Sequence, residues 1–307
     1  MKISRLALML TLPAAASAAY AGLMGTMALT LPAAASAAYA SLMGTMVRPL
    51  ASSTTDSIDL GDVLQNAPAG SPTVLVLGTY PADFNMIEYA QKLCHYVPKL
   101  KQKGVGRILC TVNGPPAACE LLKDMLQLPE DVELLSDEAG QAGRDFGCST
   151  GWLPENDDVS PYAKLLGMLV GLGAWNTLPS VITGYIGNPS GTNGWIQQAL
   201  AQGQVAKRWP DMALDVDSAT GAVTRNAFSE LPLVGGWGRR PLELATLRLQ
   251  TMIGVSLAKW DELKPTDDRC LTQLGGLVVV KDGEMIYEWR DNGICATADF
   301  EKVLEAL

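Results

Sequence analysis

The chain has 307 residues, of which 48% are hydrophobic, and a formal net charge of −9 at pH 7. This length can form one large domain or two small ones, and the apolar fraction suffices for a sizeable core. The acidic balance argues against nucleic acid as a partner, because phosphate binding requires a basic protein face.

The first part of the chain, residues 1–52, reads as a targeting segment. MKISR is a short basic region, LALMLTLP begins an apolar stretch, and small residues typical of cleavage sites follow. The stretch TLPAAASAAYAGLMGTM at 11–27 recurs at 30–46 with Ser41 in place of Gly22, which indicates a doubled signal segment. The order ASAAY resembles the signal junction of plastid proteins in algae with secondary plastids. Simple secretion is the alternative interpretation.

After the linker 66–72, apolar runs alternate with helical patterns. The run VLVLGTY predicts a strand buried on both faces, because polar alternation is missing. Asn85 with Glu88 predicts the N-cap of the following helix. The same reading then predicts a strand at 107–113, a helix at 115–128, a strand at 132–137 and a short helix at 138–147. This alternation is typical of a parallel α/β sheet.

The C-terminal part has a different pattern. LGGLVVV at 274–280, the turn KDGE and MIYEWRD at 285–291 predict a β-hairpin, and ADFEKVLEAL predicts a closing helix. Strand–helix repeats followed by a hairpin and a helix give the order of a thioredoxin-like fold. We therefore predict an α/β protein with a thioredoxin-like fold. A large, partly helical insertion lies between the third predicted helix and the hairpin.

Five segments carry a family resemblance: VLVLGTY, RILCTVNGPPAACELL, VELLSDEAGQAGRDFG, TQLGGLVVVKDGEMIYEWRD and DFEKVLEAL. Together they resemble peroxiredoxin-like proteins of the AhpC/TSA superfamily, and the central region is similar to a group of cyanobacterial and plastid proteins with the same label. The likeness covers about 57–148 and 264–307. It implies an antioxidant or thiol redox role, with a peroxide and a thiol reductant as reactants.

The catalytic cysteine of that family is missing. The resemblance places it in the first helical turn after VLVLGTY, where the helix N-terminus favours a thiolate. Helix phase puts Asp83 and Met86 at the positions that a CxxC motif would occupy, and we interpret both as degenerate redox-motif positions. Asp83 also suits a helix cap.

No CxxC occurs among the six cysteines, which are Cys94, Cys110, Cys119, Cys148, Cys270 and Cys295. Their spacing excludes zinc knuckles and ribbons, and we predict neither a metal nor a cofactor. Cys94 and Cys110 fit small buried hydrophobes. Cys148 follows a predicted helix end, where we expect it to be exposed, and with Asp83 it forms the candidate catalytic set. Cys295, in a loop before the last helix, is a second redox candidate.

Arg239 and Arg240 directly precede a helical pattern that begins at Pro241. Two guanidinium groups beside a helix N-terminus form a candidate anion site. The alternative is that both arginines bind carboxylates of this acidic protein.

The run 162–187 is the most apolar stretch after the leader, and it is interrupted at Asn176 and Pro179. One interpretation is a buried helical hairpin. The other is a surface that docks on a protein or a membrane, because Trp and Tyr on an apolar face suit an interface.

The sequence therefore divides into a targeting segment 1–52, an N-terminal thioredoxin-like part 53–148, an insertion 149–263 and a C-terminal part 264–307. The mature chain is expected to begin within 47–55. The resemblance favours a redox protein of the plastid, associated with its thylakoid membrane, with secretion as the alternative location. The missing nucleophile favours a second hypothesis, a catalytically silent module that binds a protein or thylakoid-membrane partner through the insertion.

Overall fold

The computed structural model describes residues 40–50 and 56–307. Most of the predicted doubled leader lies outside the described residues. The strands within them are β1 (Met46–Pro49), β2 (Ile58–Asp59), β3 (Thr73–Leu77), β4 (Arg107–Val112), β5 (Val132–Ser136), β6 (Leu214–Val216), β7 (Val223–Asn226), β8 (Gly276–Lys281) and β9 (Glu284–Arg290). The helices are α1 (Leu60–Gln65), α2 (Phe84–Gln102), α3 (Pro116–Leu126), α4 (Gln141–Phe146), α5 (Pro161–Leu169), α6 (Thr177–Ile186), α7 (Gly194–Val205), α8 (Glu243–Thr251), α9 (Trp260–Leu263) and α10 (Phe300–Ala306).

Seven strands form one mixed sheet in the order β2-β1-β5-β4-β3-β8-β9. Strands β3, β4 and β5 are parallel, and each helix between them is a crossover connection. Strands β1, β8 and β9 run antiparallel to their neighbours, while β6 and β7 form a separate two-stranded sheet. The predicted mixed α/β class and the three alternating strand–helix units are confirmed.

The central sheet is covered on both faces. In β3, Val74 and Val76 pack into a core with α2, α3, α7 and α10. Leu75 and Leu77 point to the opposite core, which α1 and α4 cover. Because neither face of β3 meets water, the strand reads as a continuous apolar run. This prediction from the sequence is confirmed.

Helix α2 is buried on almost every side. The predicted apolar stripe faces the sheet, and the opposite side carries Glu88, Gln91 and Lys92, which are buried as well. Helices α7 and α8 of the region 149–263 pack over that side. The insertion therefore covers the polar side of an amphipathic helix, so that the charged side chains of Glu88 and Lys92 lie in the interior.

The predicted C-terminal hairpin is confirmed. Strands β8 and β9 pair across the two-residue turn Asp282–Gly283, where both residues have positive φ angles of 52° and 78°. Turns of this kind match the right-handed twist of the strands, and glycine adopts such angles without a steric penalty. The closing helix is α10, which buries Phe300 and Val303.

Strand β1 lies within the segment that the sequence assigns to targeting. Leu42 and Val47 are buried in the core on the α1 and α4 side. The backbone N–H of Leu50 donates a 3.1 Å hydrogen bond to the carbonyl of Leu134. Residues 40–50 are therefore part of the folded domain.

Candidate functional site

The start of α2 holds the two positions, Asp83 and Met86, that we interpret as a degenerate redox motif. Asp83 is the N-cap residue, and its Oδ2 accepts a 2.5 Å hydrogen bond from the hydroxyl of Thr79. Met86 is fully buried. The predicted N-cap at Asn85 is wrong, because the helix already begins at Phe84 and the Asn85 side chain bonds to a distant loop.

Asn85 ties α2 to the loop that precedes α10. Its Nδ2 donates hydrogen bonds to Oδ2 of Asp291 at 2.8 Å and to the carbonyl of Gly293 at 3.1 Å. Its Oδ1 accepts the backbone N–H of Cys295 at 2.6 Å. Both the nitrogen and the oxygen of the amide are thus used, in three hydrogen bonds, and the loop 291–298 closes over the first turns of α2.

Asp291 is the second centre of this network. Its Oδ1 accepts hydrogen bonds from the hydroxyl of Tyr89 at 2.7 Å and from Nε1 of Trp289 at 3.1 Å. Burial raises the pKa of Asp291 to about 7, against the lowering effect of the bonds from Tyr89 and Asn85. Burial likewise raises the pKa of Asp83 to about 6, opposed by the bond from Thr79. Two carboxyls near the start of α2 thus hold their protons unusually tightly.

All six cysteines are free and buried. Burial raises the pKa of every thiol: to about 11 for Cys94, to about 12 for Cys119, Cys270 and Cys295, and further for Cys110 and Cys148. A raised pKa keeps a thiol protonated at neutral pH, and the thiolate is the nucleophilic form. None of the six occupies an environment that activates a redox cysteine.

The expected exposure of Cys148 is wrong. Gly147 adopts a positive φ of 82° after α4 and turns the chain inward. Cys148 then packs in the core beside α4, and its backbone N–H donates to the carbonyl of Gly143 at 2.8 Å. Asp83 caps α2 on the opposite face of the sheet, so the structure does not bring the candidate catalytic pair together.

Cys295 is covered as well. It packs in a small apolar cluster with Met168 of α5 and Ile294. Its backbone adopts a positive φ of 65°, which a non-glycine residue rarely does, and its N–H is held by Asn85. The predicted loop position before the last helix is confirmed, but the thiol faces the interior.

A polar cavity of about 500 Å³ lies beside α2, and the sequence did not predict it. Glu88, a buried carboxylate on its wall, forms ion pairs with Lys92 at 3.1 Å and with Arg248 at 3.2 Å. Thr297 donates a further 2.8 Å hydrogen bond to this carboxylate. Burial acts to raise the pKa of Glu88, but the charges of Arg248 and Lys92 outweigh this effect and lower the pKa to about 2.

The structure separates the two arginines of the candidate anion site. Arg240 is buried, and its guanidinium binds the carboxylate of Glu243 at 2.6 Å. Arg239 instead lines the polar cavity. The predicted helix start at Pro241 shifts, since α8 begins only at Glu243 after Leu242 adopts a positive φ of 65°. The two guanidinium groups therefore do not share one helix N-terminus.

The run 162–187 forms α5 and α6 with an inverted distribution of side chains. Helix α5 buries Lys164 and Met168, while Leu166 is 65% exposed. Helix α6 buries Thr177 and Gly184 and exposes its large apolar side chains. Trp175, between the helices, is 69% exposed. The interpretation as a buried hairpin is wrong, because most of the large apolar side chains of these helices face solvent.

These exposed apolar side chains belong to a stretch of the sequence that carries no charged residue. No Asp, Glu, Lys, Arg or His occurs between Lys164 and Lys207. We call the exposed apolar side chains of α5, α6 and the segment between them the uncharged face; they are Leu166, Leu169, Val170, Leu172, Trp175, Leu178, Ile182, Tyr185 and Ile186. No helix of the described chain is long and apolar enough to span a bilayer.

Among the described residues, no cluster of histidine, cysteine and acidic side chains is arranged to hold a metal ion. The chain matches no protein-family model. A search of curated proteins finds no significant match.

Proposed function

We propose that this protein is a thioredoxin-like module that docks on an uncharged membrane surface and performs no thiol chemistry. The observation that carries the proposal is the uncharged face, on which two short helices turn their apolar sides outward. Large exposed apolar patches mark interaction sites in soluble proteins.

The thioredoxin-like assignment rests on the inner strands of the sheet. Strands β4, β3, β8 and β9 are adjacent in that order, with β3 and β4 parallel and β8 and β9 antiparallel. Helix α2 follows β3, and α10 follows β9. This is the order expected for a thioredoxin-like core, with β5 added as a further parallel strand.

A lipid surface fits the uncharged face better than a charged partner does. Trp175 and Tyr185 supply amphipathic rings, and Leu166 and Ile182 supply exposed aliphatic area. Trp and Tyr are the side chains favoured at the membrane–water interface. Because basic residues are missing from this stretch and the chain carries a net charge of −9, we expect binding to neutral rather than anionic lipid.

The alternative redox role, which the family resemblance implies, stays a prediction. The buried thiols with raised pKa values do not favour it. The plastid location with association to the thylakoid membrane is likewise part of the proposal, with secretion as the alternative.

Flotation with neutral phosphatidylcholine vesicles tests membrane docking directly. The wild-type protein should float with the vesicles, and the double variant Leu166→Ser/Trp175→Ser should stay in the dense fraction. Leu233 is 100% exposed outside the uncharged face, so Leu233→Ser is the matched control and should float as the wild type does.

Two outcomes would overturn the membrane proposal. One is a wild-type protein that does not float, and the other is a double variant that floats equally well. Sedimentation velocity tests whether the uncharged face binds a second copy of the protein instead. A wild-type dimer together with a monomeric double variant would assign the uncharged face to self-association.

A further inference from the structure

The polar cavity beside α2 carries more positive than negative charge in its buried part. Lys92 and Arg248 are largely buried there, Arg239 is partly buried, and Glu88 is the buried carboxylate. Of the other acidic groups on the cavity wall, Asp299 and Glu305 are exposed, and Glu301 is partly buried and already paired with Lys99 and with the hydroxyl of Tyr96. Glu88 pairs with Lys92 and Arg248, so no carboxylate of the described residues forms an ion pair with Arg239.

Arg239 is the cation without a partner. Its guanidinium forms no ion pair or hydrogen bond with any described residue, and its Nε is inaccessible to water. Burial lowers the pKa of Arg239, the charge of Glu88 opposes this, and the charge of Arg248 adds to the lowering. A buried donor left unsatisfied costs free energy, which a bound acceptor would recover.

The backbone holds this guanidinium in place. Asn188 and Arg239 form an isolated antiparallel bridge, with N···O distances of 2.7 and 3.0 Å. Gly191 lies against the side chain, and a Cβ at that position would clash with Nε of Arg239. The glycine therefore leaves the space in which the guanidinium lies, and the site is preorganised.

We propose that this cavity binds a small hydroxylated organic anion, a carboxylate or a phosphate ester, whose charged group contacts Arg239. Arginine is the side chain best suited to such groups because its fork of donors matches two acceptor oxygens. The hydroxyls of Ser180 and Ser190 line the same cavity and can bond to the polar body of the ligand. A volume of about 500 Å³ is typical of small-molecule sites.

This site can be tested separately from membrane docking. Helix α6 contributes Ser180 and Thr183 to the cavity, but none of the exposed apolar side chains of the uncharged face lines it. Isothermal titration calorimetry on the full chain with inorganic phosphate, malate and glycerol tests it. We expect at least one anion to bind saturably with a Kd below about 1 mM, and glycerol not to bind. Tighter binding of phosphate assigns a phosphate ester, and tighter binding of malate assigns a carboxylate.

The variant Arg239→Gln should weaken anion binding by about tenfold or more, because it removes a charge-assisted contact. The affinity of Arg239→Lys should lie between those of the wild type and Arg239→Gln, since lysine keeps the positive charge but cannot bind two acceptor oxygens side by side. Arg225, which is exposed and paired with Glu230, supplies the control: Arg225→Gln should bind as the wild type does.

Gly191→Ala is a second variant that leaves the arginine in the sequence and displaces its side chain, and it should also weaken binding. Circular dichroism checks that each variant is folded. The proposal is overturned if neither anion binds the wild type, if glycerol binds as well as the anions do, or if folded Arg239→Gln keeps the wild-type affinity.

Discussion

The Oδ1 atom of Asn85 accepts the backbone N–H of Cys295 at 2.6 Å, across 210 positions of sequence. This bond joins the first turn of α2 to the loop before α10. If the proposed thioredoxin-like fold holds, a buried amide network lies where a member of that family would expose its catalytic thiol. The network holds the loop before α10 over the start of α2.

Replacing Asn85 by alanine should destabilise the fold by about 2–4 kcal/mol. The change leaves the carboxylate of Asp291 and the N–H of Cys295 without one partner each, and both are buried. Urea unfolding measures the effect. Asn66 is exposed and bonds only locally, so Asn66→Ala should change the free energy of unfolding little. Equal effects of the two variants would contradict the assigned role of Asn85.

Stability should fall as the pH rises from about 4 to about 7. Folding raises the pKa of Asp83 from 3.8 to about 6 and that of Asp291 from 3.8 to about 7. Each carboxyl thus binds its proton more tightly in the folded state. Its stabilising contribution is complete below the unfolded pKa and is lost as the pH passes the folded pKa.

The variant Asp83→Asn isolates one of these two groups. It keeps an oxygen acceptor for Thr79 and removes the ionisation, so the loss of stability between pH 4 and pH 7 should shrink by about 3 kcal/mol. Urea midpoints at several pH values provide the measurement. An unchanged pH profile in the variant would show that Asp83 does not titrate in this range.

The six thiols should react slowly with a thiol reagent at pH 7 in the folded protein and rapidly in denaturant. Each is buried, and a raised pKa keeps each one protonated. Time-resolved labelling followed by mass spectrometry counts the modified cysteines. Rapid modification of Cys148 or Cys295 in the native state would contradict the burial described for them.

Leu42→Ala should destabilise the fold by about 2–4 kcal/mol, because the side chain is fully buried beside α1. Met46 is 53% exposed, so Met46→Ala is the control and should have a small effect. If Leu42 belongs to the mature fold, N-terminal sequencing should place leader cleavage before this residue. A mature chain that begins within 47–55 and is fully stable would contradict this view of β1.

Strand and helix positions were predictable where local pattern determines them. The run VLVLGTY lacks polar alternation because both faces of β3 are covered, and the Asp282–Gly283 turn follows from its residue types. These signals depend on neighbours in sequence, which a single sequence displays. The α/β class was predictable too, because the order of strands and helices is read directly along the chain.

The site depended on long-range contacts and was largely missed. Glu88 and Lys92 have helical spacing that fits a solvated face, but Arg248, from 160 positions away, covers them. Cys148 was expected to be exposed because it follows a helix end, yet the turn at Gly147 directs it inward. Local sequence does not encode which distant segment folds over a helix.

The absence of thiol catalysis is the central claim, and peroxide consumption measures it most directly. The purified protein is supplied with hydrogen peroxide and a thiol reductant, beside the folded variants Cys148→Ser and Cys295→Ser. We expect the wild type to consume peroxide no faster than the reductant alone, and the variants to equal it. Catalytic turnover by the wild type that disappears in either serine variant would contradict the account.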